Sequence, residues 1–114
     1  KMIDEIESGK VKTNSFTNTD SLMKYLMKVN LYHNFVKNYK KRIAINPKLV
    51  SKTEERISLF KTDPKNSVLK DHGLTGAKKG LRAFSITGDV RIVYLPVSDG
   101  EVTFLDIGSH NQVY

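Results

Sequence analysis

The chain has 114 residues, no cysteine and a formal net charge of +7. That length suits one domain with a modest core, the missing thiols exclude disulfides and thiolate metal sites, and no apolar run approaches the roughly 20 residues of a membrane-spanning helix. The charge is uneven: residues 1–26 hold four lysines and four acids, whereas residues 27–114 hold fifteen Lys/Arg and eight acids and so carry the whole excess. A cationic body favours a polyanionic partner, nucleic acid above all; the alternative is a solvated basic surface. No signal-peptide pattern is visible, and a cysteine-free chain fits a reducing cytoplasm.

Residues 1–26 are polar and rich in Ser, Thr and Asn. Met2, Ile3 and Ile6 suit the end of a helix stopped at Gly9. Residues 14–20 form a polar link, and Thr19 or Asp20 caps a short helix over 21–26 with Leu22, Met23, Tyr25 and Leu26 as its apolar residues. This segment has too little apolar surface for a core of its own and reads as an arm that must lie on something else.

From Met27 the pattern changes. Residues 27–32 alternate as a strand does. Asn34 is placed to cap a helix over 35–45, with Val36, Tyr39 and Ile43 inward. Asn46-Pro47 restarts the chain as a cap followed by proline at the first helical position, and a second helix runs to about Lys61 with Val50, Ile57 and Phe60 inward. The two form an αα-hairpin. Residues 62–79 show no periodicity, and a loop of that length is often functional. Three strands follow over 81–87, 90–97 and 101–107, separated by the turn residues Gly88-Asp89 and Ser98-Asp99-Gly100. The order strand, helix, helix and antiparallel meander predicts an α+β domain with helices on one sheet face and the other face open to a ligand.

Three histidines are candidates for chemistry. His33, at a strand-to-helix junction, reads as a local polar filler. His72 lies in the long loop beside Lys70 and Asp71, either solvated or functional. His110 follows the last strand, four residues before Tyr114. A side chain that titrates near neutrality, beside an aromatic platform on a basic surface, suits RNA cleavage. Tyr114 would stack on a base or pack the chain end onto the sheet. No His-x-x-x-His or Glu-x-x-His spacing suggests a metal site, and no metal or cofactor is expected. Residues 76–80 form a cationic loop in which Lys78 and Lys79 would meet phosphate. Arg82 and Arg91, on consecutive strands, would hold a phosphodiester from a sheet face or pair with Asp89, Asp106 or Glu101 as surface ion pairs.

Taken in order, several segments of residues 27–114 resemble the RelE/ParE superfamily of bacterial type II toxins, and within it the YafQ-type messenger-RNA endonucleases. They are Phe35-Val-Lys-Asn-Tyr-Lys-Lys-Arg42, Leu69-Lys-Asp-His-Gly-Leu-Thr-Gly76, Lys79-Gly-Leu-Arg-Ala-Phe-Ser-Ile86, Gly88-Asp-Val-Arg-Ile-Val-Tyr94 and Leu105-Asp-Ile-Gly-Ser-His110, through Val113-Tyr114. The resemblance implies a β-α-α-β-β-β fold, a two-helix hairpin on one face of a small, mainly antiparallel sheet. It also implies a cytoplasmic, ribosome-dependent enzyme without a metal or cofactor. Such an enzyme cuts messenger RNA in the ribosomal A site, using the ribose 2′-hydroxyl as nucleophile. His110, His72, Asp89 and Tyr114 then match the family's catalytic positions, and Arg82 and Arg91 its RNA-facing basic positions, with Lys78 and Lys79 beside them. YafQ-like members carry another histidine where this chain has Ser85, and a serine hydroxyl cannot shuttle a proton at neutral pH.

Residues 1–26 resemble the C-terminal tail of a cognate antitoxin, and Met27 resembles a toxin's first residue. The chain then reads as a fused or read-through pair, with an arm at 1–26 and a toxin domain at 27–114. Leu22, Tyr25 and Leu26 would dock the arm over the basic groove, in cis or in a swapped homodimer. No membrane partner is expected. Two competing readings are a non-enzymatic DNA gyrase inhibitor of the ParE branch, which usually lacks the terminal histidine, and a catalytically inactive RNA- or ribosome-binding module.

Overall fold

The computed structural model describes residues 27–114, and the arm with Leu22, Tyr25 and Leu26 lies outside the described residues. The elements run β1 (Lys28–Leu31), α1 (His33–Asn38, continued as a π-helical turn over Tyr39–Ile43) and α2 (Pro47–Thr62). Then come β2 (His72–Gly73), β3 (Arg82–Ser85), β4 (Val90–Ser98), β5 (Glu101–Ser109) and α3 (His110–Val113). They form one mixed sheet in the order β1-β5-β4-β3-β2. β1 pairs parallel to β5, and the remaining pairs are antiparallel. This is the α+β arrangement the element order predicts, with α1 and α2 on one face. No described helix is long and apolar enough to cross a membrane.

α1 departs from expectation in two ways. Tyr32 takes the cap position and no side chain caps the helix, so Asn34 does not serve as its cap. Phe35, rather than Val36, is the buried residue of the first turn. The π turn explains the phase, because the Ala44 amide donates to the Tyr39 carbonyl five residues back. The wide turn offsets the drift of a four-residue spacing and keeps Phe35, Tyr39 and Ile43 toward the sheet. α2 starts as its sequence dictates: the Asn46 side chain accepts from the Lys48 and Leu49 amides at 3.1 and 3.2 Å, and Pro47 fills the first position. Phe60 and Thr53 are its fully buried residues, while Val50 and Ile57 pack half-buried at the margin.

An aromatic cluster forms the core. Phe60 stacks on Phe84 with centroids 4.4 Å apart and planes 10° from parallel, and Tyr94 and Phe104 meet Phe60 at 5.0 and 5.9 Å. Such pairs contribute roughly 0.5–1.5 kcal/mol each beyond area burial. The stretch over 62–79 is organised by insertion into this core. Leu69 is fully buried, ending a short 3-10 turn over Ser67–Leu69 whose cap is the Asn66 side chain. The second sheet face is not wholly open. Ala83 and Val93 are covered there by Val113 of α3, with Leu74 and Leu81 at the edge.

Candidate active site

Strand register sorts the candidate residues by face. β3 and β4 pair Arg82 with Tyr94, Ala83 with Val93, Phe84 with Ile92 and Ser85 with Arg91. Alternation then puts Ala83, Ser85, Arg91 and Val93 on the α3 face, and Arg82, Phe84, Ile92 and Tyr94 on the face of α1 and α2. His72 pairs with Ala83 and joins the α3 face. Arg82 and Arg91 therefore do not share a face, and their expected joint grip on one phosphodiester is corrected. Arg82 pairs with none of the acids expected of it. Its Nε lies 2.7 Å from Asp71 Oδ1, and the hydrogen bond to Asp71 holds the Arg82 pKa above its usual value despite partial burial, while the Tyr94 hydroxyl donates to Asp71 Oδ2.

On the α3 face the chain end assembles a cluster. Ser109 caps α3 in a reciprocal box: its Oγ accepts from the Gln112 amide at 3.3 Å and its amide donates to Gln112 Oε1 at 2.7 Å. The His110 amide donates to Asp89 Oδ1 at 3.3 Å, joining the β3–β4 turn to the start of α3. That turn is set by Thr87, whose Oγ1 accepts from the Asp89 and Val90 amides at 3.2 and 3.0 Å. One helical turn on, Tyr114 meets His110 edge to face with centroids 4.5 Å apart. His72 also meets this ring, 6.4 Å away between centroids, with the Tyr114 hydroxyl 3.5 Å from His72 Nε2. Two imidazoles distant in sequence thus converge on one aromatic ring.

The protonation pattern follows from the partners. His72 Nδ1 sits 3.0 Å from the Lys70 carbonyl, an acceptor only, so Nδ1 carries the proton and Nε2 of the neutral ring presents its lone pair. Lys70 is aimed for this by a left-handed backbone with φ 50°, unusual for a residue with a Cβ. Partial burial raises the Tyr114 pKa, opposed by the charge and hydrogen bond of the Arg91 guanidinium, so the phenol stays protonated at neutral pH. Arg91 also donates to the Gly88 carbonyl at 2.9 Å.

His72, Tyr114 and Lys78 line a hollow of 380 Å3 closed by Gly73, Leu74, Thr75 and Ala77. Lys79 is exposed and does not line it. Ser85 is 8% exposed and lies opposite Arg91. His33 is exposed at the start of α1, its ring 4.3 Å from Tyr32. Among the described residues, no group of three or more His, Asp or Glu side chains gathers as a metal site. Sequence reasoning missed Asp71 and Tyr94 as the anchors of Arg82 and the capping box of α3. The box was legible, since Ser109 and Gln112 stand at its required spacing.

Comparison with known proteins speaks to the family and the fold. Residues 27–114 match the family model described as the bacterial toxin of type II toxin-antitoxin system, YafQ. A copper-bound mutant toxin from Helicobacter pylori is 36% identical, covering 78% of this chain and 100% of its own, with a TM-score of 0.64. YafQ from E. coli strain BL21(DE3) is 23% identical, covering 77% of this chain and 98% of its own, with a TM-score of 0.66. YafQ in the E. coli DinJ–YafQ complex is 24% identical over 77% of this chain and 98% of its own, with a TM-score of 0.64. At their identities the two E. coli structures speak for the fold alone. No curated protein sequence matches the chain. The family match over residues 27–114 and the Helicobacter likeness identify the chain as a member of the YafQ family of bacterial type II toxins.

Proposed function

We propose that this toxin is an endoribonuclease that cuts messenger RNA in the ribosomal A site by attack of a ribose 2′-hydroxyl on the adjacent phosphate. The observation that supports the reading is the convergence of His72 and His110 on Tyr114. His72, whose Nε2 is left as the acceptor because Nδ1 faces the Lys70 carbonyl, takes the 2′-hydroxyl proton in place of its long contact with the Tyr114 hydroxyl. The 2′-oxygen bonds to phosphorus, and the bond to the 5′-oxygen breaks. His110, on the exposed first turn of α3, gives that leaving oxygen a proton. The products are a 2′,3′-cyclic phosphate and a 5′-hydroxyl, and the two proton transfers need no group beyond these imidazoles. Arg91, on the same sheet face and acting through its charge on the Tyr114 phenol, faces the charge growing on phosphate. Asp89 holds the start of α3 in place, Tyr114 offers a stacking surface, and Lys78 adds positive charge at the hollow.

A cognate antitoxin is the expected protein partner, supported by the solved complex of the E. coli relative with DinJ. Residues 1–26 are the candidate for that role in this chain, docking through Leu22, Tyr25 and Leu26. Ribosome-programmed RNA cleavage tests the enzymatic reading. His110→Ala should slow cutting by about 10²- to 10⁴-fold and leave ribosome binding intact. Unchanged cutting would overturn the assignment, and gyrase-dependent DNA breaks without RNA cleavage would favour the inhibitor class.

A further inference from the structure

A basic cavity of 470 Å3 opens beside the site, off the end of β3. Lys52 and Arg56 of α2 form one wall, Lys70 another, and Ser85, the turn over 86–88 and Arg91 the third. Four cationic side chains line this space, and among the described residues lining it there is no carboxylate. Like charges gathered in this way repel unless an anion lies among them. Lys52 pairs with Glu55 at 3.8 Å, but that pair is solvent-exposed and its hold on Lys52 is weak.

Arg56 is placed rather than free. Its Nη1 donates to the Val68 carbonyl at 3.2 Å, while its Nε–H is buried with no acceptor among the described residues. A buried donor without a partner is costly, typically about 1–3 kcal/mol. An anionic oxygen along the same guanidinium edge would satisfy it after a small rotation. Arg91 links the two spaces: it lines this cavity, and its place opposite Ser85 sets it on the sheet face that carries the His72–Tyr114 cluster, where its charge acts on the Tyr114 phenol. A strand of phosphates running from the candidate active site past Arg91 would enter the cavity.

We infer that the cavity between Lys52, Arg56, Lys70 and Arg91 is a second phosphate subsite, which grips the RNA backbone one or two nucleotides from the bond that is cut. It reads no base, since its donors are charged side chains suited to phosphate oxygens. The inference rests on the RNA-cleavage reading for the identity of the neighbouring site; the binding it requires is measurable without any cleavage.

The experiment is equilibrium binding of the full chain to a fluorescent 2′-O-methyl RNA hexamer, which cannot be cut, across a salt series. A dinucleotide too short to span both sites serves as control. Lys52→Gln should weaken hexamer binding about 3- to 10-fold, equally for different base sequences, and reduce the slope of log affinity against log salt by about 0.7 for the one lost phosphate contact. The double variant Lys52→Gln/Arg56→Gln should lose more, with dinucleotide binding unchanged in both. Lys52 is on the exposed side of α2, so its single variant keeps the test valid if the double variant melts early. Unchanged hexamer affinity and slope in Lys52→Gln would overturn the inference. Inorganic phosphate binding that depends on Lys52 without any effect on RNA would overturn it as an RNA subsite. If ribosome-programmed cleavage is absent while the hexamer loses affinity as stated, the subsite stands and the endonuclease reading falls.

Discussion

The Tyr114 hydroxyl lies 3.5 Å from Nε2 of His72, so the end of the chain closes on a strand 42 residues earlier. Tyr114 therefore has two separable properties, a ring and a hydroxyl. Base–aromatic stacking contributes about 1–3 kcal/mol, roughly 5- to 150-fold in affinity. Tyr114→Ala should raise the Kd for uncleavable RNA within that span. Tyr114→Phe keeps the ring and should leave the Kd within about threefold. Equal losses in the two variants would show that the hydroxyl, not the ring, binds RNA.

The imidazoles divide the proton transfers. General acid–base help is typically worth about 10²- to 10⁴-fold, so His72→Ala and His110→Ala should each slow ribosome-dependent cleavage by that order while RNA affinity holds. The double variant should fall little further, because groups acting in one step are not additive. Single-turnover rates of the four proteins measure this, and fully multiplicative losses would separate the two residues into independent roles.

The two arginines should behave differently. Arg82 is tied to Asp71, whose side chain is 11% exposed. Arg82→Met leaves that carboxylate with one partner fewer and should cost about 1–3 kcal/mol of stability, read as a lower denaturant midpoint. The salt slope of RNA binding should not move. Arg91→Ala should do the reverse, reducing the slope by about 0.7 with little change in stability. A slope change in the Arg82 variant would return it to the RNA-binding set.

Alkaline pH should unfasten the Asp71 anchor. Burial first, then the hydrogen bond and charge of Asp71, push the Tyr94 pKa well above 10, with Arg82 pulling it down. The folded pKa exceeds the unfolded one, so this contribution is complete below about pH 10, where an unfolded tyrosine holds its proton. It is lost progressively as pH rises toward the folded value. Thermal melts between pH 8 and 11 should show a steeper fall for the wild type than for Tyr94→Phe. Parallel falls would remove Tyr94 as the cause.

Gly108 is held by space. A Cβ there would lie 2.6 Å from both Arg42 Nη1 and Gln112 Oε1. Both atoms end long side chains, but each is engaged. Arg42 donates to the Ile107 carbonyl at 3.0 Å, and Gln112 completes the cap of α3. Gly108→Ala should break at least one of these bonds, cost about 1–3 kcal/mol, and slow cleavage by loosening the turn that carries His110 and Tyr114. An unchanged melting temperature would show that the side chains yield freely.

Local pattern made much of this molecule legible. Alternation marks β1 and β3 to β5, Asn46-Pro47 marks the start of α2, and Gly88-Asp89 and Ser98-Asp99-Gly100 mark the hairpins. The spacing of His110 and Tyr114, one helical turn, brings their rings together as the sequence suggests. The π turn of α1 was hidden, because Phe35, Val36 and Tyr39 satisfy a straight helix as well as a widened one. The separation of Arg82 from Arg91 was hidden too. Both lie on strands, but their faces depend on the register across the Gly88-Asp89 turn, and the Thr87 hydroxyl sets that register together with the backbone.

By itself the sequence determined the element order, the α+β class and the cationic body, because these follow from periodicity, turn chemistry and charge within a few residues. Only the tertiary structure decided that β1 joins β5 in parallel and that Leu69 anchors the long loop in the core. It alone brought His72 to Tyr114 and set Lys52 and Arg56 near Arg91. These are contacts between distant parts of the chain, selected by the joint burial of Phe60, Phe84, Tyr94 and Phe104, and no local period encodes them.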